Sequence, residues 1–539
     1  TFDTANDNNN SVYSSSVRHN FNFTNKIQFG TKLILNRSEY LKEFDSYDSK
    51  GVTLSYSQIL PFGTLKLRST YLENDYDKVE SFVSSTIIRK DESLVTVLSL
   101  DGQLNKILPF TKKSKVDNSV FYTLNFKKSD VSSNILNNDI FIAINGESVN
   151  GHNYIENAIS NGASLILCEE KGCSSSICIH SNSNYISIQK LAKKYRDIID
   201  IPMLGITGSN GKTTTKDMIY QIVQEKIDTV STKKNYNSTL SVPLTTLGLN
   251  NSNDLSIIEM GASELGEIKT ICDIASPTMG LITNISNAHT LTFRNINNIA
   301  STKSKLFESL PIDGYAFKNI DDPFISEMKT KANIVTYGFS KNADYTGSYD
   351  GETLTVDNKE IQIKHNNKEM AINSIASYAV TKTLNLDSSY ICEKISNFKP
   401  ACGRKEIIEL DNITIINDTY NANLLSAKSG IDLLINHNGK RKIAIIGDML
   451  ELGDFEIQEH EKLGEYINAK NIDIVIGVGK LILNSIDNIT SPSIEKKYFK
   501  TIKYANQYIK ELIRPYDVYY IKGSRGMRME KIIKENFSL

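Results

Sequence analysis

Two rhythms of apolar and polar positions divide the chain. Up to about residue 130 the period is two: Val52, Leu54 and Tyr56 alternate with Thr53, Ser55 and Ser57, and Leu65, Leu67 and Tyr71 with Lys66, Arg68 and Thr70. Successive strand side chains point to opposite faces, so this alternation predicts half-exposed β-strands. Further strands are expected around residues 21–35, 82–88, 94–100 and 121–126, with polar turns at 45–51 and 73–78. Together they predict an antiparallel meander of six or seven strands. Tyrosine-rich strands of about ten residues also suit part of an outer-membrane barrel, although a closed barrel takes about eight strands. A soluble β domain is the rival reading.

From about residue 137 the rhythm changes. Short apolar runs at 140–144, 165–167, 413–416, 443–446, 472–476 and 518–521 alternate with helical patterns such as 154–161. Strand and helix in alternation predict an α/β architecture of doubly wound parallel sheets.

Composition narrows the picture a little. A chain of 539 residues is long enough for three or four domains with substantial cores. A net charge of −1 points to neither a nucleic-acid nor a membrane-surface partner. The six cysteines form no Cys-x-x-Cys pair, and free thiols in a reducing compartment are expected. No run of 18 apolar residues and no signal peptide is visible, so no transmembrane helix is expected.

The chemistry is concentrated in Met203-Leu-Gly-Ile-Thr-Gly-Ser-Asn-Gly-Lys-Thr-Thr-Thr215. An apolar run enters a loop with glycines at 205, 208 and 211, and a helical pattern with Met218, Ile219, Ile222 and Val223 follows. Glycines let the backbone approach an anion, and the amides of the loop and helix N-terminus point at it. Lys212 is expected to reach the terminal phosphates and Thr213 to hold Mg²⁺. The spacing departs from a strict phosphate loop, because Ile206 stands five residues before Gly211 and the nearest glycine, Gly205, lies one further back. Other segments add candidates. The apolar strand from Leu255 ends in Glu259, where a carboxylate beside a phosphate loop suits Mg²⁺. A second strand, 280–285, leads to His289, and Lys303 lies in a helical pattern over 299–307. Taken singly, a solvated glutamate, a structural histidine and an ordinary amphipathic helix are the plainer readings.

Taken together, these residues resemble the Mur ligase family, the ATP-dependent amide-forming enzymes of peptidoglycan synthesis. The resemblance covers residues 137–539. It rests most on Glu259-Met-Gly-Ala-Ser-Glu-Leu-Gly-Glu267, Gly447-Asp-Met-Leu-Glu-Leu-Gly453 and Lys522-Gly-Ser-Arg-Gly-Met-Arg-Met-Glu530. Asp418-Thr-Tyr-Asn-Ala-Asn423 and Asn150-Gly-His-Asn-Tyr-Ile155 add to it. It implies a truncated N-terminal substrate domain at 131–198, a central ATP-binding domain at 199–400 and a C-terminal Rossmann-like domain at 401–539, preceded by the β segment 1–130.

The resemblance also implies roles. Gly208, Ser209, Asn210, Gly211, Lys212, Thr213, Thr214, Asn284, Asn373, Arg404 and Asp418 fall at nucleotide-binding positions. Lys212, Glu259, His289 and Lys303 fall at catalytic ones. Thr213, Glu259 and His289 would hold Mg²⁺, as would Lys303 if carbamoylated, since an ammonium repels the ion and a carbamate offers it anionic oxygen. The implied cofactors are ATP and Mg²⁺, and the implied partners are UDP-N-acetylmuramoyl-tripeptide and D-alanyl-D-alanine. The peptide carboxylate takes the γ-phosphoryl group of ATP, and the resulting acyl phosphate is attacked by the amine, in a cytoplasmic reaction. A membrane partner enters only for residues 1–130, and only if they are a barrel fragment.

Several positions depart from the family pattern. Val131-Ser-Ser133 stands where an Asp-Ser-Arg helps bind the UDP moiety, so an incomplete uridine pocket is expected. Ser238, Ser241, Lys305, Glu369 and Leu424 replace the usual Asn, Gly, Glu, His and Pro. Because the lost motif coincides with the change of rhythm, residues 1 to about 135 are expected to derive from an unrelated gene. Two rival functions follow: a β-rich membrane or surface module carrying an inactive ligase remnant, and another ligase of the superfamily, such as a folate polyglutamate or cyanophycin synthetase.

Overall fold

In the computed structural model of the chain, the backbone of the strands between residues 2 and 123 is described, as are residues 140–537 apart from 145–149, 170–174, 234–235, 288–289, 364–366 and 411. The alternating segment forms seven strands, Phe2–Asp7, Asn10–Thr24, Ile27–Tyr40, Tyr47–Leu60, Gly63–Val79, Ile88–Gly102 and Ser119–Thr123. They pair antiparallel in chain order, as a meander. The strands are longer than the periodicity predicts. Two of them share the stretch 21–35, and the polar residues 47–50 and 73–76, expected within turns, pair with each other, Tyr47 opposite Tyr76 and Lys50 opposite Glu73. Backbone amides pair whatever the polarity of their side chains, so a ladder continues while its neighbour offers partners. The strand expected at 82–88 lies outside the described residues except for Ile88, which opens the next one.

A small parallel sheet follows, with Leu165–Cys168 between Ile140–Ile142 and Cys178–His180. Phe141, Ile166 and Cys168 pack against Ile155 and Ala158 of the helix Ile155–Ser160. The Asn150-Gly-His152 run is a packing device: a Cβ on Gly151 would lie 2.7 Å from Ile144 N. The Asn150 carboxamide accepts the His152 N–H (2.9 Å), and His152 Nε2 accepts the Glu169 N–H (3.0 Å). Cys168, Cys272, Cys392 and Cys402 are free, as expected. Cys178 is disulfide-bonded, against that expectation, and Cys173 lies outside the described residues.

The next sheet has nine strands, in the order Thr229–Ser231, Leu255–Glu259, Met203–Thr207, Met279–Ile282, Tyr315–Asn319, Asn333–Gly338, Tyr345–Tyr349, Thr353–Val356 and Lys359–Gln362. The first seven run parallel, and the last two join by antiparallel pairing, so Thr353–Val356 alone runs opposite to the rest. Met203–Thr207, Leu255–Glu259 and Met279–Ile282 are buried throughout, because helices cover both faces. Lys212–Val223 and Lys368–Thr383 pack on one face, Glu267–Ala275 and Ile296–Ser309 on the other. Gly205 sits inside the first of these strands and not in the loop. A Cβ there would come within 2.8 Å of Met260 Cε and 2.9 Å of Leu306 Cδ1, so its glycine serves packing.

The last sheet has six strands, Glu406–Leu410, Ile413–Asp418, Asp517–Lys522, Arg441–Gly447, Ile474–Val478 and Glu495–Phe499, parallel except for the first pair. Helices Leu424–Asn436 and Glu456–Asn468 cover one face, and Ile502–Leu512 and Glu530–Asn536 the other. Among the described residues no helix is long and apolar enough to cross a membrane.

Candidate active site

The strand Met203–Thr207 lies between the two strands whose ends carry Glu259 and Asn284. This is where an open parallel sheet presents its strand tips to a ligand. Beyond Thr207 the chain turns through Gly208 (φ +145°) and Gly211 (φ +78°) into the helix Lys212–Val223. Both glycines are sterically required. A Cβ on Gly208 would collide with Thr283 Oγ1, and one on Gly211 would lie 2.9 Å from Asn373 Oδ1.

Neighbouring strand ends hold the loop open. Ser209 N–H donates to the Asn284 carbonyl (2.9 Å), Asn210 N–H to Asn284 Oδ1 (3.1 Å), and Asn284 Nδ2 returns a bond to the Asn210 carbonyl (3.1 Å). Thr283 Oγ1 donates to the same carbonyl (2.5 Å). Lys212 folds over the loop, its ammonium 2.8 Å from the Gly208 carbonyl and 3.2 Å from that of Ser209. Burial lowers its pKa, the Arg404 charge adds to this, and Glu259 opposes both.

Glu259, 1% exposed, accepts from Thr213 Oγ1 (2.7 Å) and Asn237 Nδ2 (2.7 Å). A carboxylate and a hydroxyl in contact beside an amide-lined loop are hard oxygen donors of the kind Mg²⁺ takes. These residues therefore fit a magnesium-bound triphosphate. Lys303 is 3% exposed on the helix Ile296–Ser309, and burial, reinforced by the Lys212 charge, holds its pKa well below the usual lysine value. His289 lies outside the described residues.

A cleft of about 350 Å³ opens in front of the loop. The central sheet's side of it carries residues 209–214, Glu259 and Asn373, and the C-terminal sheet's side carries Arg404, Asp418 and Tyr420. Gly208, Asn284 and Lys303 are not among the residues that line it. The first two shape the loop, and Lys303 is buried on its helix. The Arg404 guanidinium stacks on the Tyr420 ring, 3.8 Å from its centroid. Asp418 ends the strand Ile413–Asp418 and accepts from Lys522 Nζ (2.6 Å) and Tyr520 OH (3.1 Å).

Sequence reasoning missed several of these groups. Asn237, Lys522 and Asn423 had no role assigned, and Asn423 joins Asn210 of the phosphate loop to the start of the helix Leu424–Asn436 (Asn423 Nδ2 to Asn210 Oδ1, 2.8 Å). Lys522 and Asn423 stood inside quoted motifs, the one available signal. The Gly447–Gly453 run both braces its own domain and reaches the site, for Leu450, Glu451 and Leu452 line the cleft. Asp448 accepts the N–H groups of Lys480 (2.9 Å) and Ile482 (2.8 Å), and His460 Nε2 accepts that of Met449 (3.0 Å).

Comparison with known proteins gives the family. The Mur ligase middle domain matches residues 206–382, the glutamate ligase domain of the Mur ligases matches 403–525, and the Mur ligase family catalytic domain matches 131–201. The UDP-N-acetylmuramoyl-tripeptide–D-alanyl-D-alanine ligase of Bacillus subtilis is 31% identical over 74% of this chain and 90% of its own. Its counterpart in Synechocystis is 31% identical over 63% and 76%. Among solved structures, MurF from Acinetobacter baumannii superposes with a TM-score of 0.71 at 25% identity, covering 78% of this chain and 94% of that one. MurF from Thermotoga maritima in complex with ADP superposes with a TM-score of 0.67 at 26% identity, covering 75% and 95%. The chain belongs to the Mur ligase family.

Proposed function

We propose that this chain is an ATP-dependent amide ligase that joins D-alanyl-D-alanine to UDP-N-acetylmuramoyl-tripeptide in peptidoglycan precursor synthesis, in the cytoplasm. In this reading residues 131–198 are a partial substrate domain, 199–400 bind ATP and 401–539 complete the site, and residues 1–130 are foreign to the ligase. The observation that carries it is one cleft lined by a phosphate loop, by the Thr213–Glu259 pair, and by Arg404 and Asp418 from a second sheet.

The loop amides and Lys212 bind the terminal phosphates, Lys212 exchanging the Gly208 and Ser209 carbonyls for phosphate oxygens. Thr213 and Glu259 would hold Mg²⁺, together with His289 and a carbamoylated Lys303, and the bound ion would neutralise charge on the transferring group. Burial favours the neutral amine of Lys303, the form that attacks carbon dioxide. Asn373 and Arg404 close on the nucleotide from either side. The substrate carboxylate takes the γ-phosphoryl group, the amine of D-alanyl-D-alanine attacks the acyl phosphate, and ADP and phosphate leave. Arg404, Tyr420 and Asp418 wall the cleft from the C-terminal side, and excluding water protects the acyl phosphate from hydrolysis. The rival reading of an inactive remnant is not favoured, because the phosphate loop, Glu259, Arg404 and Asp418 share one cleft and the Bacillus subtilis relative aligns over 90% of its length.

The test is phosphate release from ATP by the full chain with UDP-N-acetylmuramoyl-tripeptide, with and without D-alanyl-D-alanine. Release that requires both substrates is the expected result. ATP binding without release would overturn the proposal, and would place the defect at Val131-Ser-Ser133.

A further inference from the structure

The cleft depends on a second sheet holding Arg404 over the phosphate loop, and the arginine sits on an unusual turn. Gly403 (φ +76°) and Lys405 (φ +56°) flank it in the left-handed region. Glycine adopts this conformation freely, but lysine does so only against strain, so the fold around Lys405 must hold it there. Its ammonium supplies the hold. It donates to Glu369 Oε2 and to Ser429 Oγ (2.7 Å). The side chain of Lys405 is 9% exposed and that of Glu369 25%.

Glu369 belongs to the other domain. It lies in the first turn of the helix Lys368–Thr383, four residues before Asn373, so the two share a helix face. Asn373 abuts Gly211 of the phosphate loop, and one rigid helix face thus meets both the loop and the turn that carries Arg404. The turn is tied on its other side as well. Gly403 accepts the Tyr420 N–H (3.0 Å), and its own N–H donates to Glu406 Oε2 (3.3 Å). Beside Arg404 and Glu406 of the turn itself, Lys522 and Asp418 lie near the pair and are bonded to each other (2.6 Å). Burial disfavours the Glu369 carboxylate, but the charge and hydrogen bond of Lys405 outweigh it, and the acid titrates below its usual range.

We propose that Glu369 and Lys405 are a positioning pair that docks the Gly403–Arg404–Lys405 turn on the ATP-binding domain and so sets Arg404 over the nucleotide. Both residues also line the cleft beside Arg404, but their charged ends are engaged with each other and with Ser429, and their proposed effect on catalysis runs through Arg404. The inference rests on the ligase reading above for its kinetic consequence, though not for the docking itself.

The test compares Glu369→Gln, Lys405→Met and the exchange variant Glu369→Lys with Lys405→Glu, in the full chain. Removing one partner of a largely buried ion pair strands the other, so each single variant should raise KM for ATP about tenfold while kcat changes less. The exchange restores the pair, and KM should return to within about threefold of the parent. A purely structural role would lower the melting temperature without this split or this rescue. Single variants with unchanged KM, or an exchange variant no better than the singles, overturn the proposal. Amide hydrogen exchange across residues 401–406 reads docking without turnover. Faster exchange in the single variants, restored by the exchange variant, supports the pair even if the parent chain proves inactive, which would defeat the ligase reading alone. Unchanged protection overturns docking directly.

Discussion

Gly205 and Gly208 stand three positions apart and do different work. The first packs against Met260 and Leu306 inside a strand, and the second turns the phosphate loop against Thr283. Substitution separates them. Gly205→Ala overpacks a buried contact at a cost of about 1–3 kcal/mol, so the melting temperature should fall while KM for ATP stays within about twofold. Gly208→Ala adds a left-handed strain of about 1–3 kcal/mol and displaces Thr283, which holds the Asn210 carbonyl. KM for ATP should then rise at least tenfold, by order of magnitude. Thermal melts and initial rates against ATP check both, and a Gly205→Ala variant with the larger KM effect would return Gly205 to the loop. At this scale the sequence was most legible where the signal is local. Gly211-Lys-Thr213 is contiguous, and its neighbours in sequence are its neighbours in space. Glu259 was legible as an acid at a strand end, but its Asn237 partner was not, because a bond across 22 positions depends on which strand ends up beside which.

Elements carry the next level of information in their ends. Asn423 caps the helix Leu424–Asn436 through Ser426 N–H (2.9 Å) and also holds Asn210 of the phosphate loop. Asn423→Ala removes both and should cost about 1 kcal/mol of stability as well as raising KM for ATP. Asn423→Ser keeps a capping oxygen on a side chain too short to reach Asn210, so it should raise KM with stability retained. Equal kinetics for parent and serine variants would show that the cap alone matters. The helix Glu456–Asn468 has a different attachment, the fully buried His460. Its Nδ1–H donates to the Glu456 carbonyl (2.6 Å) while Nε2 accepts from Met449. Burial lowers the pKa of this imidazole below 6.5. Between the folded value and 6.5 the unfolded chain binds more protons, so stability falls as pH drops through that window and is level above it. His460→Gln should flatten the fall of melting temperature below pH 6.5, and an unchanged slope would assign the acid sensitivity elsewhere. Neither attachment could be read from periodicity, which marks the apolar face of an element and says nothing of what its ends will meet.

For the whole molecule, the two rhythms of the sequence correspond to two kinds of sheet, but strand order lay beyond them. Placing Met203–Thr207 between Leu255–Glu259 and Met279–Ile282 is a tertiary choice, and it is this choice that brings Glu259 and Asn284 to the loop. Among the described residues the seven strands of the meander pair with one another, the family match begins at residue 131, and the proposed site residues run from Gly208 to Asp418. A chain lacking residues 1–130 should therefore keep kcat and KM for ATP within about twofold of the full chain, since uniform binding and chemistry are both supplied elsewhere. If the shortened chain loses most of its turnover while still binding ATP, the meander takes part in presenting the UDP-linked substrate, and Val131-Ser-Ser133 is not a scar but an altered pocket. Continuous sequencing reads across the codons for residues 123–137 bear on the same point from the gene. Reads that span the junction fit a natural fusion whose enzyme tolerates the added sheet, and their absence would make residues 1–130 foreign to the ligase.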